Sequence, residues 1–168
     1  ATPIAGLNAR PGHYSAAEYY AVPADNLRTY PVYHPDSEPA GYWEELQKKT
    51  PEPLIDTQKA RTAADWIQEG ARVFREMDNV FMRTNDPRLI AQARDPRSFA
   101  GFMKLPDGTT LGPRWVVTSQ GVMLTVPSCA AACHLGSAPG GTLMFGGPGG
   151  GLAGSATRLG FQTALNGP

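Results

Sequence analysis

The chain has 168 residues with 15 basic and 15 acidic side chains, so its formal net charge at pH 7 is zero. This length suits one domain with a hydrophobic core of its own. The balance of charges, with no basic cluster larger than Lys48-Lys49, argues against a nucleic-acid partner. No apolar run approaches the ~20 residues that a transmembrane helix requires.

Glycine and proline are unusually frequent, with 19 and 16 copies that make up about a fifth of the chain, against a usual ~12%. They predict long irregular stretches in two blocks. Residues 1–58 form a lead-in rich in tyrosine and proline, which we expect to lie as an extended arm on the rest of the molecule or on a partner subunit. Residues 59–168 are predicted to hold the functional domain and a Gly-rich tail, and the arm and the domain are expected to form one structural unit.

Two short helices are predicted within the arm, over residues 15–21 and 41–49. The most regular helix follows, because Thr62 is suited to cap it and Asp65 stands three residues on, as in a capping box. Its apolar side chains recur at helical spacing and predict a face that packs on a core; they are Trp66, Ile67, Val73, Phe74 and Met77. Another helix is predicted to begin at Asp86-Pro87, with proline in its first turn.

A β-hairpin is predicted next. Pro106-Asp107-Gly108 has the composition of a turn. Residues 114–119 and 122–126 are rich in β-branched side chains and are joined through Gln120-Gly121, which favours two antiparallel strands. The fold class expected from these elements is α+β. We expect a small haem-centred domain with two or three helices, one hairpin and long irregular Pro- and Gly-rich segments.

The haem expectation comes from Cys129-Ala130-Ala131-Ala132-Cys133-His134. A cysteine pair followed directly by histidine resembles a c-type haem attachment site, in which both thiols bond to the haem vinyl groups and the histidine binds iron. The usual spacing is C-x-x-C-H, so this chain has one extra residue between its cysteines. The motif assigns Cys129 and Cys133 to the covalent thioether bonds and His134 to the proximal axial position.

Three other readings of the same residues stay open. Cys129 and Cys133 can form a disulfide in an oxidising compartment, although so short a loop would stabilise the fold only weakly. The C-x-x-x-C spacing also occurs in copper sites, where two thiolates, a histidine and often a methionine hold the metal. A zinc site would need a fourth ligand, and only one histidine stands nearby.

The order of these motifs is similar to that of a known family. The lead-in is followed by 65-DWIQEGARVF-74, then by 105-LPDG-108 and 114-RWVVT-118, and then by the Cys-Cys-His motif. This order resembles bacterial periplasmic c-type cytochromes, specifically the N-terminal portion of larger members of that group. The resemblance covers about residues 31–134. It implies covalent haem, but those proteins have the shorter C-x-x-C-H spacing and more chain after the motif.

The tail offers a candidate for the sixth coordination position of iron. Met144 lies ten residues after His134 in a Gly-rich segment, and an extended chain of that length spans roughly 33 Å at ~3.3 Å per residue. A thioether would then bind from the second face of the haem. His13 and His34, both in the lead-in, are the alternative distal ligands.

These residues predict an electron carrier and not a turnover enzyme, because no acid–base or nucleophilic constellation accompanies the motif. We expect a monohaem c-type cytochrome that acts outside the cytoplasm, in the periplasm or extracellular space. The start at Ala1-Thr2-Pro3 fits an exported chain whose signal peptide is gone. Redox proteins are the expected partners, with the chain as a subunit of a larger complex or haem-bearing polymer. A haem-c sensor that binds ligands at an open sixth position is the alternative, as is a copper protein.

Overall fold

The computed structural model describes residues 26–99, 104–126, 134–137 and 143–145. Within these ranges the chain forms a small α+β fold, as predicted, with three α-helices and a three-stranded antiparallel sheet. The helices are α1 (Tyr42–Lys48), α2 (Ala63–Glu76) and α3 (Pro87–Gln92). The sheet consists of β1 (Thr29–Tyr33), β2 (Thr109–Thr118) and β3 (Gly121–Thr125). A separate pair of strands is β4 (Leu135–Ser137) and β5 (Leu143–Phe145). Two 3-10 helices cover Val80–Met82 and Pro96–Phe99.

The predicted hairpin is confirmed as β2 and β3. Thr118 pairs with Gly121 across the tightest point, so the loop consists of residues 119 and 120. Gly121 has a φ of 101°, a backbone conformation that glycine adopts easily and that is strained for residues with a side chain. The predicted turn at residues 106–108 is also present, since the Gly108 amide donates to the Leu105 carbonyl at 2.9 Å.

Strand β1 was not predicted, because the prolines of the lead-in argued against a strand. It pairs antiparallel with β2, and β2 is the central strand. Pro31 is tolerated because β1 lies at the edge of the sheet, where one side of the strand has no neighbouring strand to accept a hydrogen bond from its amide groups. The pairing shifts between Pro31 and Tyr33. Opposite that shift, β2 contains Gly112, with a φ of 121°, and Pro113, which has no amide hydrogen to donate.

The core lies on one face of this sheet and is centred on Trp115, whose relative exposure is 0%. The ring of Trp43 from α1 meets it edge-on, with 4.9 Å between centroids. Leu46 of α1 and Leu89 of α3 are buried in the same cluster, so the helices predicted over residues 41–49 and from Asp86-Pro87 are present and cover the sheet. That the domain is centred on haem remains a prediction.

Helix α2 confirms the predicted start but not the predicted packing. Thr62 accepts from the Asp65 amide at 3.2 Å, and Asp65 Oδ2 accepts from the Thr62 amide at 2.8 Å, which completes the capping box. None of the 14 helix residues is buried. Trp66 and Ile67 are exposed, Ile67 by 73%, whereas Val73 and Phe74 are partly buried, so the apolar face expected to pack on a core is covered only in part. The helix predicted over residues 15–21 lies outside the described residues.

Candidate functional site

The chain that leads into the Cys-Cys-His motif is anchored at the end of β3. Val126 follows that strand and is buried. Its carbonyl accepts a hydrogen bond from the Asn79 amide at 2.9 Å. Thr84 and Leu124 exchange two further backbone hydrogen bonds of 2.8 and 2.9 Å. Residues 79–84 therefore hold β3 in place up to three residues before Cys129.

An ion pair between the buried Asp78 and the partly buried Arg83 strengthens this anchor. Asp78 Oδ2 accepts from Arg83 Nε at 2.6 Å, and Asp78 Oδ1 accepts from Arg83 Nη2 at 3.0 Å. The Thr125 hydroxyl donates to Asp78 Oδ2 at 3.1 Å. Because these charge-assisted bonds are screened little when buried, they tie the segment after α2 firmly to the end of β3.

The two cysteines of the motif, Cys129 and Cys133, lie outside the described residues. His134 is described, is exposed to solvent, and directly precedes β4. Among the described ranges, no hydrogen bond or ion pair fixes its ring. An accessible imidazole next to two thiols has the donor chemistry that a haem thioether site requires. In residues 26–99, 104–126, 134–137 and 143–145, no three His, Cys, Asp or Glu side chains form a metal-binding group.

The first candidate for the distal ligand lies in the small hairpin after His134. Strands β4 and β5 pair antiparallel, and Met144 stands opposite Gly136, two residues after His134. Met144 is 46% exposed, so its side chain is accessible to a metal centre. Directly opposed residues in such a ladder have Cα atoms ~4.5–5.5 Å apart. The hairpin thus brings Met144 into the neighbourhood of His134.

Of the alternative ligands, His13 lies outside the described residues and His34 follows the end of β1. The His34 ring bonds through Nδ1 with Asp36 Oδ1. Lys104 Nζ donates to both oxygens of Asp36, at 2.8 and 2.9 Å. That hydrogen bond is the main reason why the pKa of Asp36 lies far below its ordinary 3.8, with smaller contributions from Ser37 and His34. The structure therefore places His34 in a polar surface cluster.

Sequence reasoning missed one feature beside the motif. Met77, Val80 and Phe81 are exposed apolar side chains on the segment that anchors β3, and Phe81 is 93% exposed. We call these three residues the Phe81 patch. The signal was present in the chain, since Val80-Phe81-Met82 is a short apolar run directly after Asn79. Its position next to β3 follows only from the tertiary pairing.

No known protein family, no curated protein and no solved structure matches this chain. None of the helices among the described residues has the length and apolar character to cross a membrane. The resemblance to c-type cytochromes therefore depends on the residues quoted above.

Proposed function

We propose that this chain is a monohaem c-type cytochrome that transfers electrons outside the cytoplasm as a subunit of a larger redox assembly. Cys129 and Cys133 would bond to the haem vinyl groups through their sulfur atoms, and a ring nitrogen of His134 would bind the iron. When bound, the haem supplies an iron centre that cycles between two oxidation states. The observation that carries the proposal is His134, which is exposed to solvent and stands directly after the cysteine pair in the sequence.

The surroundings of the motif support this assignment. The anchor formed by Asn79, Asp78 and Arg83 holds the chain before Cys129, and the β4–β5 hairpin holds the chain after His134. When the chain on both sides of an attachment site is already ordered, cofactor binding costs less conformational entropy than it would on a free tail. Defined positioning matters because burial and axial ligation set the reduction potential.

Met144 and His34 are the two described candidates for the second ligand to the iron. Met144 stands close to His134 across the β4–β5 hairpin, so its thioether would be a second ligand to the iron that is near His134. His34 would instead keep its bond to Asp36, an arrangement typical of ligating histidines, whose second nitrogen binds the metal. The two candidates predict different reduction potentials: Met144 as the second ligand would give a higher potential than His34, because a thioether ligand raises it.

The first experiment is an intact mass with absorption spectra of the oxidised and reduced protein. We expect a mass increment of one haem that survives denaturation, together with sharp reduced bands. The double variant Cys129→Ser/Cys133→Ser is the matched control and should show neither. A colourless wild-type protein without the increment would refute covalent haem.

The extra spacer residue permits a second test. Deleting Ala131 restores the usual C-x-x-C-H spacing without changing the ligand types. If the longer spacer is functional, the deletion variant and the wild-type chain should carry haem to a similar extent. A wild-type chain that is haem-free while the deletion variant is fully loaded would show that the spacer abolishes attachment.

A second candidate function is copper-based electron transfer or copper delivery, and the β4–β5 register favours it specifically. Two thiolates, the His134 imidazole and the Met144 thioether form a soft donor set suited to copper. Because the hairpin brings Met144 close to His134, these two side chains would be able to hold one copper ion together. Copper in metal analysis of the purified protein, with no haem increment, would establish this function instead.

A further inference from the structure

The Phe81 patch, Met77, Val80 and Phe81, lies next to the chain that enters the haem motif. Asn79 is hydrogen bonded to Val126, and Phe81 is two residues from Asn79 along the chain. Cys129 is three residues beyond Val126, which an extended chain spans in roughly 10 Å. A group attached at Cys129 therefore starts within a short distance of the patch.

We propose that the Phe81 patch is the apolar wall on which one face of the covalent haem packs, an inference that rests on the proposed function. A porphyrin is flat, large and apolar over most of its surface. Aromatic and aliphatic side chains cover such a surface with favourable dispersion and hydrophobic contacts. The 93% exposure of Phe81 means that its ring is free to take this role.

The backbone under the patch is held firmly. The Thr29 hydroxyl donates to the Glu76 carbonyl at 2.7 Å, and the Met77 amide donates to the Val73 carbonyl at 3.0 Å. Asp78, between two members of the patch, is bonded to Arg83 and Thr125. Three apolar side chains are thus exposed within five residues of a chain segment whose backbone is held by hydrogen bonds, a place where an apolar group is able to bind.

The position of the patch selects the haem over other occupants. Its three residues occupy positions 77–81, directly after α2, and the hydrogen bond of Asn79 lies in the middle of that stretch. Along the chain, the three residues therefore flank Asn79, the residue that bonds to Val126. Ile67, although 73% exposed, lies near the other end of α2, which makes it the matched control.

The test compares Phe81→Ala with Ile67→Ala in the haem-loaded protein. Phe81→Ala should expose one face of the haem, so we expect a several-fold faster reduction by ascorbate and a lower reduction potential. Ile67→Ala should change neither quantity. Val80→Thr, which replaces a methyl with a hydroxyl at nearly constant volume, should shift the potential in the same direction as Phe81→Ala.

A second readout does not depend on redox chemistry. The haem-free variant Cys129→Ser/Cys133→Ser should bind the apolar dye 1-anilinonaphthalene-8-sulfonate at the uncovered patch, while the haem-loaded protein should bind several-fold less. Adding Phe81→Ala to the haem-free variant should reduce dye fluorescence, and adding Ile67→Ala should not. Circular dichroism would check that the variants remain folded, as expected for a side chain that is exposed in the structure.

The outcomes separate this inference from the proposed function. A haem-loaded wild type in which Phe81→Ala and Ile67→Ala have equal potentials and equal reduction rates would overturn the haem wall and leave the cytochrome assignment intact. Loss of self-association in Phe81→Ala with unchanged haem properties would overturn it by identifying a second copy of the chain as the occupant. Absence of the haem mass increment in wild type would overturn both proposals.

Discussion

The sheet and helix α2 differ in how their apolar side chains are used. Trp115 at the centre of the sheet is fully buried, and Trp43 packs edge-on against it. Helix α2 is the longest helix among the described residues, yet it buries none of its side chains. The sheet is stabilised by packing, whereas α2 is stabilised by local interactions: its capping box, the Arg72–Glu69 ion pair, and the bond from Arg75 to the Ala71 carbonyl.

This difference shows that a strong helix signal does not imply burial. Isolated helices of ~12–15 residues are only marginally stable in water, so a helix of 14 residues depends on its caps and gains further stability when its apolar face is covered. The open side of α2 and the patch that follows it belong to one continuous segment. A group that packed on that segment would bury its apolar side chains and so stabilise it, as packing stabilises the sheet.

The largest difference between the two regions should appear in a pair of tryptophan substitutions. Trp115→Ala removes the fully buried ring at the centre of the core, and large-to-small changes of this kind cost about 3–5 kcal/mol of unfolding free energy. Trp66→Ala, on the half-exposed face of α2, should cost less than about 1 kcal/mol. Guanidinium unfolding followed by circular dichroism measures both, with Trp115→Phe as the milder core variant. Equal losses at the two sites would contradict the contrast.

The Asp78–Arg83 ion pair, which joins the segment after α2 to the end of β3, should contribute nearly as much to the free energy of unfolding. Asp78→Ala removes a buried carboxylate that accepts hydrogen bonds from Arg83 and Thr125, and the loss of such charge-assisted hydrogen bonds costs about 1.5–3 kcal/mol. Lys59→Ala removes an exposed ion pair with Asp56 and should leave stability unchanged within error. The same unfolding measurement applies. An Asp78→Ala protein as stable as the Lys59→Ala control would show that the anchor contributes nothing.

A smaller, local effect is expected at the start of α2. Thr62→Ala removes the acceptor for the Asp65 amide, which should destabilise the helix by about 1 kcal/mol. Because α2 is only loosely coupled to the core, hydrogen exchange of its first-turn amides should accelerate several-fold, while global unfolding of the sheet should barely change. Thr62→Ser keeps the hydroxyl and should restore slow exchange. A matching loss in the sheet would mean that α2 and the core unfold together.

The smallest effect concerns the acid sensitivity of the solvent-exposed ion pair between Asp36 and Lys104. The hydrogen bond from Lys104 is the main cause that holds the pKa of Asp36 below its ordinary 3.8. A carboxyl whose pKa is lowered by folding stabilises the folded state above its ordinary pKa, and this contribution is lost as pH falls through the folded pKa. Asp36→Asn should therefore flatten the decline of stability below about pH 4. Lys104→Ala should raise the pKa of Asp36 in a carbon-13 NMR titration, and an unchanged pKa would refute the assigned cause.

Predictions based on local chemistry agree with the structure. Thr62 and Asp65 form the expected capping box, Asp86 and Pro87 begin α3, and the turn at residues 106–108 lies where its composition placed it. Strand β1 was missed because Pro31 lowers strand propensity, and that penalty disappears only at a sheet edge. The apolar face of α2 is covered less than expected, since Val73 and Phe74 are only partly buried. Periodicity shows which side of a helix is apolar, not how fully another element covers it.

The amino-acid sequence by itself determined the short-range features: the helix starts, the hairpin, and the adjacency of Cys129, Cys133 and His134. These depend on contacts within a few residues, which side-chain type and spacing specify directly. Only the tertiary structure decided that β1 joins β2, that Asn79 bonds to Val126, and that Phe81 lies exposed beside the chain leading to Cys129. Such contacts join residues far apart in the chain, and the competition among many possible partners is settled by packing, not by local propensity.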